Sequence, residues 1–290
     1  MSAALEDAPQ FEAESRLAQF VARFLANRSA AFGGLILLLL VACAALAPLI
    51  APHDPLAINP IMRLRPPGAD HWFGTDEVGR DLFSRIVYGC RYFLLICLVA
   101  ASISASSGTL LGLIAGAGSP LADGLVMRLM DVMLAFPYIL LVLVVVAILG
   151  PSLWTGMIAV GVAGIPGYAR VVRAGVLTVR REDYVEAARV LGASRAQIMF
   201  GTVLPNVLSP LIVYLSFATP LAALLASALS FVGLGAQPPA PEWGAMLVNS
   251  RTLLFSSWWA VAAPGTALFF AIFGLNLLGN GLRDVLDPQS

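Results

Sequence analysis

Residues 181–197 read REDYVEAARVLGASRAQ, a polar segment between two long apolar runs. Outside this segment the chain is strongly apolar, with 59% hydrophobic residues, 12% charged residues and a mean hydropathy of +0.86. A soluble domain carries about 25% charged residues. The composition therefore predicts a membrane protein in which residues 181–197 are among the few parts that face water.

The polar segment contains signals for a short helix. Asp183 can cap a helix in which Glu186 follows three residues later, and both acids favour the positive end of a helix. Gly192 can adopt the left-handed conformation that ends a helix. We predict a helix of about two turns that stops at this glycine.

A second helix is predicted directly after the first. Ser194 and Gln197 have the spacing of a capping box, in which each side chain binds the other residue's backbone N–H. The helix that starts there leads through Leu204-Pro205 into the next apolar run.

The first short helix needs a partner, because two turns of helix are not stable alone in water. Ala187 and Ala188 permit close approach, and Tyr184, Glu186 and Arg189 supply contacts at the edge. A helix that lies on the membrane surface is the alternative, but this segment has little apolar surface to bury. We therefore predict that another protein docks here.

Six apolar runs have the length of about 20 residues that a helix needs to cross a bilayer. Their approximate limits are 31–50, 92–118, 123–150, 152–169, 207–233 and 257–279. A backbone in lipid must satisfy its own hydrogen bonds, so these runs predict helices. The charge-free interval 195–242 is long enough for two spans, but Pro and Gly clusters near its ends favour one. We predict an all-α membrane protein with six transmembrane helices.

The arginine distribution predicts that both termini are cytoplasmic. That orientation places the segment 170–205, here called the coupling segment, inside and the loops 51–91 and 235–256 outside. Arg80, Arg85 and Arg91 then lie outside, where nearby acids offset them. The chain is divided into residues 1–91, with a tail, the first span and an outer loop, and a five-helix core, 92–283.

The absence of lysine excludes several chemistries, since all 17 basic residues are arginine. A P-loop and a Schiff base both require a lysine, so ATP chemistry must come from another polypeptide. No Ser/His/Asp set or carboxylate pair is expected at membrane depth, so we predict a subunit without catalytic residues.

Five residues of metal-ligand type have no arrangement that predicts a metal site. Cys43, Cys90 and Cys97 are odd in number and lack disulfide or metal spacing, so they are interpreted as packing residues. Cys43 ends a sequence like a lipoprotein cleavage site, but a long polar stretch precedes it and we expect the helix to be retained. His53 and His71 stand apart in a polar loop and are interpreted as solvated.

The second span carries Ser104, Gly108, Gly112 and Gly116 at intervals of four residues. Small residues on one helical face predict close packing against another helix.

Arg128 and Asp131 lie one turn apart in the third span, where an unpaired charge would be costly. We interpret them as a structural ion pair on one helix face. Part of a solute or proton path is the alternative.

Several motifs together resemble a known family. Glu186-Ala187-Ala188, Gly192 and Leu204-Pro205 have the spacing of the EAA loop in permease subunits of bacterial ATP-binding-cassette (ABC) importers, although Thr202 replaces a usual apolar residue. Three further pairs of segments resemble the C-type permeases of dipeptide, oligopeptide and nickel importers. They are 73–76 with 79–81, 237–239 with 242–244, and 276–279 with 281–284.

The resemblance implies a type I importer fold in the bacterial cytoplasmic membrane. It implies a B-type permease partner, two ABC ATPase subunits and an extracytoplasmic peptide-binding protein, with no cofactor and no nucleic acid. Peptides are the implied substrate, with nickel or glutathione as alternatives. The residues implied to couple to the ATPase are Asp183, Tyr184, Glu186, Ala187, Ala188, Arg189, Gly192, Leu204 and Pro205. Gly74, Asp76 and Trp243 are implied contacts for the binding protein.

A channel or ion-driven carrier that works alone is a second class of function. It would need intramembrane acids or broken helices to couple ions. Asp131 is the one acid that the sequence places clearly beyond the interface, so an importer subunit remains the favoured interpretation.

Overall fold

The computed structural model describes residues 16–286, and between these limits the regular structure is helical. The α-helices are α1 (Arg16–Ala26), α2 (Arg28–Ala45), α3 (Ala47–Ile50), α4 (Leu82–Ala117), α5 (Pro120–Ala135), α6 (Tyr138–Leu149), α7 (Leu153–Val179), α8 (Asp183–Val190), α9 (Arg195–Ile198), α10 (Leu204–Phe231), α11 (Trp243–Ser250) and α12 (Trp259–Leu286). Residues 1–15, the first part of the predicted tail, lie outside the described residues. The all-α prediction is confirmed for residues 16–286.

Five segments are long and apolar enough to cross a membrane: α2, α4, α7, α12 and the stretch 195–231 that contains α10. A sixth span results if α5 and α6 are counted together. The interval 195–242 holds one span, as predicted. The helix α4 begins at Leu82 instead of near residue 92, because Asp81 caps it with a side-chain oxygen 2.8 Å from the Ser84 N–H.

The predicted third span, 123–150, is not one straight helix. It breaks after Ala135, and α5 and α6 meet at 95°. Pro137 restricts the preceding residue to extended conformations, and Phe136 has φ −88° and ψ 138°. Because the run is apolar throughout, it was predicted as one helix, but Pro137 breaks it.

The predicted stripe of small residues packs α4 against α7. Ser104 Oγ donates to the Gly161 carbonyl at 2.7 Å. A Cβ on Gly112 would lie 2.7 Å from Val172 Cβ, so the two backbones approach as closely as glycine allows. Gly108 and Gly116 make the same kind of contact with Tyr168 and Val176. The prediction of close packing is confirmed, and α4 and α7 run parallel.

The described ends of the chain lie at one face of the bundle. Arg91 Nε donates to the Ala44 carbonyl at 2.6 Å, which places the end of α2 beside the beginning of α4. The beginning of α2 meets the end of α12, where Asn27 Nδ2 lies 3.2 Å from Asp284 Oδ2. The end of α4 and the segment after α7 lie at this same face.

The long loop, residues 51–81, covers the opposite face. Asp76 is buried and pairs with Arg80, whose Nε lies 2.6 Å from Asp76 Oδ2. Arg85 is also buried, and its Nη1 donates to the carbonyls of Pro55 at 2.9 Å and Pro239 at 3.3 Å. The predicted offset by neighbouring acids is confirmed for Arg80 and for Arg85, whose Nε lies 3.8 Å from Asp76 Oδ2. Arg85 also joins the long loop to the segment before α11.

Candidate functional site: the coupling segment

The short helix α8 begins one residue earlier in register than the sequence indicates. Glu182 occupies the cap position, and its carbonyl accepts from the Val185 N–H at 3.0 Å. Its side chain makes no capping hydrogen bond, and Asp183 is the first helical residue. The prediction that Asp183 caps the helix is therefore wrong. Asp183 and Glu186 still lie in the first turn, where negative charge is favoured.

The predicted stop at Gly192 is confirmed. Gly192 has φ +89°, and its N–H donates to the Arg189 carbonyl at 3.0 Å. The N–H of Ala193 donates to the Ala188 carbonyl at 3.0 Å. This pair of bonds is a Schellman motif, which satisfies the last carbonyls of α8 and reverses the chain.

The predicted restart is also confirmed. Ser194 N–H donates to Gln197 Oε1 at 2.8 Å, and Gln197 N–H donates to Ser194 Oγ at 3.3 Å. A five-residue π-helical turn, Met199–Val203, follows α9 and leads without a gap into α10. Leu204 and Pro205 form the first turn of α10, beyond α8.

Val185, together with the partly buried Ala188, packs α8 against the bundle. Val185 is fully buried, whereas the residues on either side of it are exposed. It belongs to a cluster with residues of α7, α9, the π-helical turn and α10, namely Tyr168, Val172, Val176, Ile198, Val203, Val207 and Leu211. The helix is therefore packed against the two spans that flank it.

The rest of α8 and its C-terminal cap present an exposed surface, here called the coupling surface. It consists of Tyr184 (48% exposed), Val190 (80%), Leu191 (87%) and the ion pair of Glu186 with Arg189, joined at 2.5 Å. Exposed apolar side chains rimmed by charge are typical of a protein interaction site.

Seven of the predicted coupling residues fall within α8 or its cap. Ala187 is exposed and Ala188 is partly buried. Val190 and Leu191 were missed by sequence reasoning, although two adjacent apolar residues at the end of a polar helix were a signal for exposure.

Two arginines at the C-terminal end of α7 connect this helix to its neighbours. Arg173 forms two bonds with Asp123 of α5, at 2.5 and 2.6 Å. Arg180 Nη1 donates to the Gly116 carbonyl at the end of α4, at 2.7 Å. The α7 end of the coupling segment is thus attached to α4 and α5.

The predicted pair of Arg128 with Asp131 does not form. Asp131 pairs with Arg170 of α7, whose Nη2 lies 2.7 Å from Asp131 Oδ1. Spacing along one helix could not reveal this partner, because it comes from another helix. The ion pair therefore joins α5 to α7.

The three residues predicted to contact a binding protein are buried. A Cβ on Gly74 would lie 2.5 Å from the Arg65 carbonyl oxygen, and Asp76 holds Arg80. Trp243 stacks on Phe93 with ring centroids 5.3 Å apart. These contacts are internal, so the three residues present little surface to a partner, and their contact with a binding protein stays a prediction.

Glu242 caps α11 from a buried position. Its two carboxylate oxygens accept from the N–H groups of Gly244 at 2.9 Å and Ala245 at 2.8 Å. Burial raises the pKa of Glu242 above its ordinary value, and the hydrogen bonds from the backbone offset part of this rise.

The prediction for the cysteines is confirmed, whereas that for the histidines is not. Cys90 and Cys97 are buried and Cys43 is partly buried in the same apolar cluster, which confirms their packing role. His53 and His71 are not separate solvated side chains, because their rings lie 4.7 Å apart.

Comparisons with known proteins agree with the motifs. A family model described as "binding-protein-dependent transport system inner membrane component" matches residues 108–290. A second model, the N-terminal transmembrane domain of oligopeptide transport permease C, matches residues 15–67.

Two curated relatives cover nearly the whole chain. The di/tripeptide transport system permease protein DppC of Pseudomonas aeruginosa is 45% identical over 287 residues, covering 97% of this chain and 95% of the relative. The glutathione transport system permease protein GsiD of Pectobacterium atrosepticum is 41% identical over 272 residues, covering 93% and 90%.

A solved structure of the MetNI methionine ABC transporter has a similar fold. The TM-score is 0.57 at 18% identity, and the match covers 70% of this chain and 96% of that chain. At this identity the likeness concerns the fold alone.

Proposed function

The chain belongs to the family of binding-protein-dependent transport system inner membrane components, and we propose that it carries peptides across the bacterial cytoplasmic membrane. In this proposal it forms the translocation path together with a B-type permease. Two ABC ATPase subunits supply the energy, and an extracytoplasmic protein delivers the peptide. The observation that carries the proposal is the coupling surface, which is exposed on one side and fixed to two membrane spans on the other.

The coupling surface has the properties of a docking site for an ATPase subunit. Val190 and Leu191 offer apolar area, while Glu186 and Arg189 supply opposite charges at its edge. Burying such residues against a partner stabilises a complex more than rim charges do. The chain contains no lysine for a P-loop, so hydrolysis takes place in the partner.

Movement of α8 would be transmitted to the membrane spans by packing. Val185 contacts the cluster shared by α7 and α10, so α8 cannot shift without displacing at least one of them. Arg173 and Arg180 extend the connection to α5 and α4. ATP-driven closure of the ATPases would thus tilt four helices together and open the path to the opposite side. Hydrolysis would reset them.

Peptides are the proposed substrate because a relative with 45% identity is named as a di/tripeptide permease. Glutathione, itself a modified tripeptide, is the alternative that the second relative supports. Nickel is the alternative that rests on motif resemblance. Uptake of labelled dipeptide, glutathione and Ni²⁺ by cells with and without this subunit distinguishes the three.

Contacts with the binding protein are proposed for the exposed part of the long loop. Trp72, Phe73 and Ile61 are exposed there, with Ile61 at 84%. The Trp72 ring is held edge-on against Phe83, 4.7 Å away, which gives this surface a fixed position.

Crosslinking tests the docking site. The chain is first freed of Cys43, Cys90 and Cys97, and a cysteine then replaces Val190 or Leu191 in the assembled complex. We expect crosslinks to the ATPase subunit from both positions. Ile61→Cys, equally exposed at the opposite face, is the matched control and should give none. A complex that hydrolyses ATP but shows no crosslink from either position would refute the docking role.

A further inference from the structure

Three side chains from separate segments meet at the beginning of α4. His53 follows α3, His71 lies late in the long loop, and Asp81 caps α4. The Nδ1 atom of His71 lies 2.9 Å from Asp81 Oδ1, and the Nδ1 atom of His53 lies 3.8 Å from Asp81 Oδ2. One ligand atom from each of the three residues lies within 4.8 Å of the others.

The cluster is held in place by its surroundings. The side chain of Asp81 is 1% exposed, and its Oδ2 accepts from the Ser84 N–H at 2.8 Å. Ser84 Oγ accepts in turn from the backbone N–H of His53 at 3.2 Å. These bonds fix the two ends of the long loop to one turn of α4, and they orient the groups as supporting hydrogen bonds do in metal sites.

The local charges leave Asp81 without a full counterion. Arg80 and Arg85 both direct their Nε atoms at Asp76 Oδ2, at 2.6 and 3.8 Å. Within residues 16–286, the two imidazoles lie within ion-pair distance of Asp81, whereas Arg80 and Arg85 pair with Asp76 and not with Asp81. Buried charges in proteins are usually paired or coordinate a metal ion, and a bound cation would supply this partner for Asp81.

We propose that His53, His71 and Asp81 bind a divalent transition metal ion, with Zn²⁺ as the best match. Imidazole nitrogen and carboxylate oxygen bind Zn²⁺ at about 2.0–2.2 Å, so neighbouring ligand atoms of a tetrahedral site are about 3.4 Å apart. The two imidazole Nδ1 atoms lie 2.9 and 3.8 Å from the two different carboxylate oxygens of Asp81, so the spacing of the three side chains is close to this value.

The fourth position is open to water, because the His53 side chain is 42% exposed and leaves an entry path. The hydrogen bond between His71 Nδ1 and Asp81 gives way to the metal, and the neutral imidazole binds through Nδ1 with its ring proton on Nε2. The bound ion fixes the long loop to α4. It acts on the stability of this loop and takes no part in ATP hydrolysis.

The chain is well suited to a direct test, because His53 and His71 are its two histidines. The full chain, purified without a polyhistidine tag and treated with a chelator, is titrated with Zn²⁺ in nanodiscs. We expect one Zn²⁺ per chain by equilibrium dialysis with elemental analysis. In ¹⁵N-histidine-labelled protein both imidazole signals should shift together, and the unfolding temperature should rise with free Zn²⁺.

His53→Gln removes one ligand at a partly exposed position and should lower Zn²⁺ affinity by roughly 100-fold, since neighbouring supporting groups alone account for about 10–100-fold. Asp70→Asn, an exposed acid beside His71, is the matched control and should bind Zn²⁺ like the wild type. Size-exclusion profiles establish that both variants are folded.

Three outcomes would overturn the proposal. In the first, the wild type binds no stoichiometric Zn²⁺ at tens of micromolar. In the second, His53→Gln binds it unchanged. In the third, the imidazole signals do not respond to Zn²⁺, and the cluster is a hydrogen-bonded group only. None of these measurements depends on transport, so failure here leaves the proposed function untouched.

Discussion

Gly112 of α4 and Val172 of α7 are in such close contact that a Cβ on the glycine would lie 2.7 Å from Val172 Cβ. We expect Gly112→Leu to destabilise the protein by about 1–3 kcal/mol, because overpacking forces the two helices apart. The measurement is the midpoint of thermal unfolding in detergent. Gly124→Ala in α5 is the control, since nothing lies within 4 Å of its Cβ position. An unchanged midpoint for Gly112→Leu would show that the helices separate without cost.

The buried and exposed valines of the coupling segment should have separable effects. Val185→Ala removes two buried carbons and should destabilise α8 by about 2 kcal/mol. Hydrogen exchange of residues 183–190 should then accelerate.

The matched change Val190→Ala, at an 80% exposed position, should leave exchange unchanged. It should weaken ATPase binding roughly fivefold, equivalent to about 1 kcal/mol. If both variants behave alike in exchange and in binding, the distinction between anchor and docking surface is wrong.

The ion pair between Arg173 and Asp123 should show energetic coupling. Its two bonds are at 2.5 and 2.6 Å, and both side chains are at most about a third exposed. We expect a double-mutant cycle with Asp123→Asn and Arg173→Gln to give about 1 kcal/mol, the upper end for surface pairs.

The more exposed pair of Asp131 with Arg170 supplies the comparison, and its coupling should be smaller. A larger coupling for the exposed pair would contradict the role assigned to burial.

The pKa of Glu242 predicts a pH dependence of stability. Burial raises this pKa in the folded state, so the protonated carboxyl is favoured by folding. The resulting stabilisation is present below the ordinary pKa of about 4.3 and is lost as pH rises through the raised pKa. The unfolding temperature of the wild type minus that of Glu242→Gln should therefore decrease as pH rises from 4.5.

The exposed change Glu182→Gln serves as the control, with no comparable trend between these pH values. If the unfolding temperature of the wild type minus that of Glu242→Gln increases with pH, the hydrogen bonds from Gly244 and Ala245 outweigh burial.

Local signals in the sequence were sufficient for the coupling segment. The Ser194–Gln197 capping box and the left-handed Gly192 depend on residues close in the chain, and both are observed. The position of α8 was off by one residue, because Asp183 and its neighbour Glu182 are both plausible caps. The close packing of the small residues along α4 was also predictable, since such a stripe indicates a neighbouring helix without specifying which one.

Features that depend on distant residues were not predictable. Asp131 pairs with a residue 39 positions away, and no spacing rule reveals such a partner. Trp243 looked like a surface residue in a polar loop, yet it stacks on Phe93. His53 and His71 meet only because the long loop returns to the beginning of α4.

The length of α4 has a mechanical consequence. At 1.5 Å per residue, its 36 residues extend about 54 Å, well beyond the roughly 30 Å hydrocarbon core. The N-terminal end of α4 supports the long loop, and the Gly116 carbonyl at its C-terminal end accepts the hydrogen bond from Arg180, close to α8. A rigid rod of this length moves its tip by about 9 Å for each 10° of tilt. If the proposed function holds, a single helix can therefore synchronise the delivery of cargo on one side of the membrane with the ATP cycle on the other.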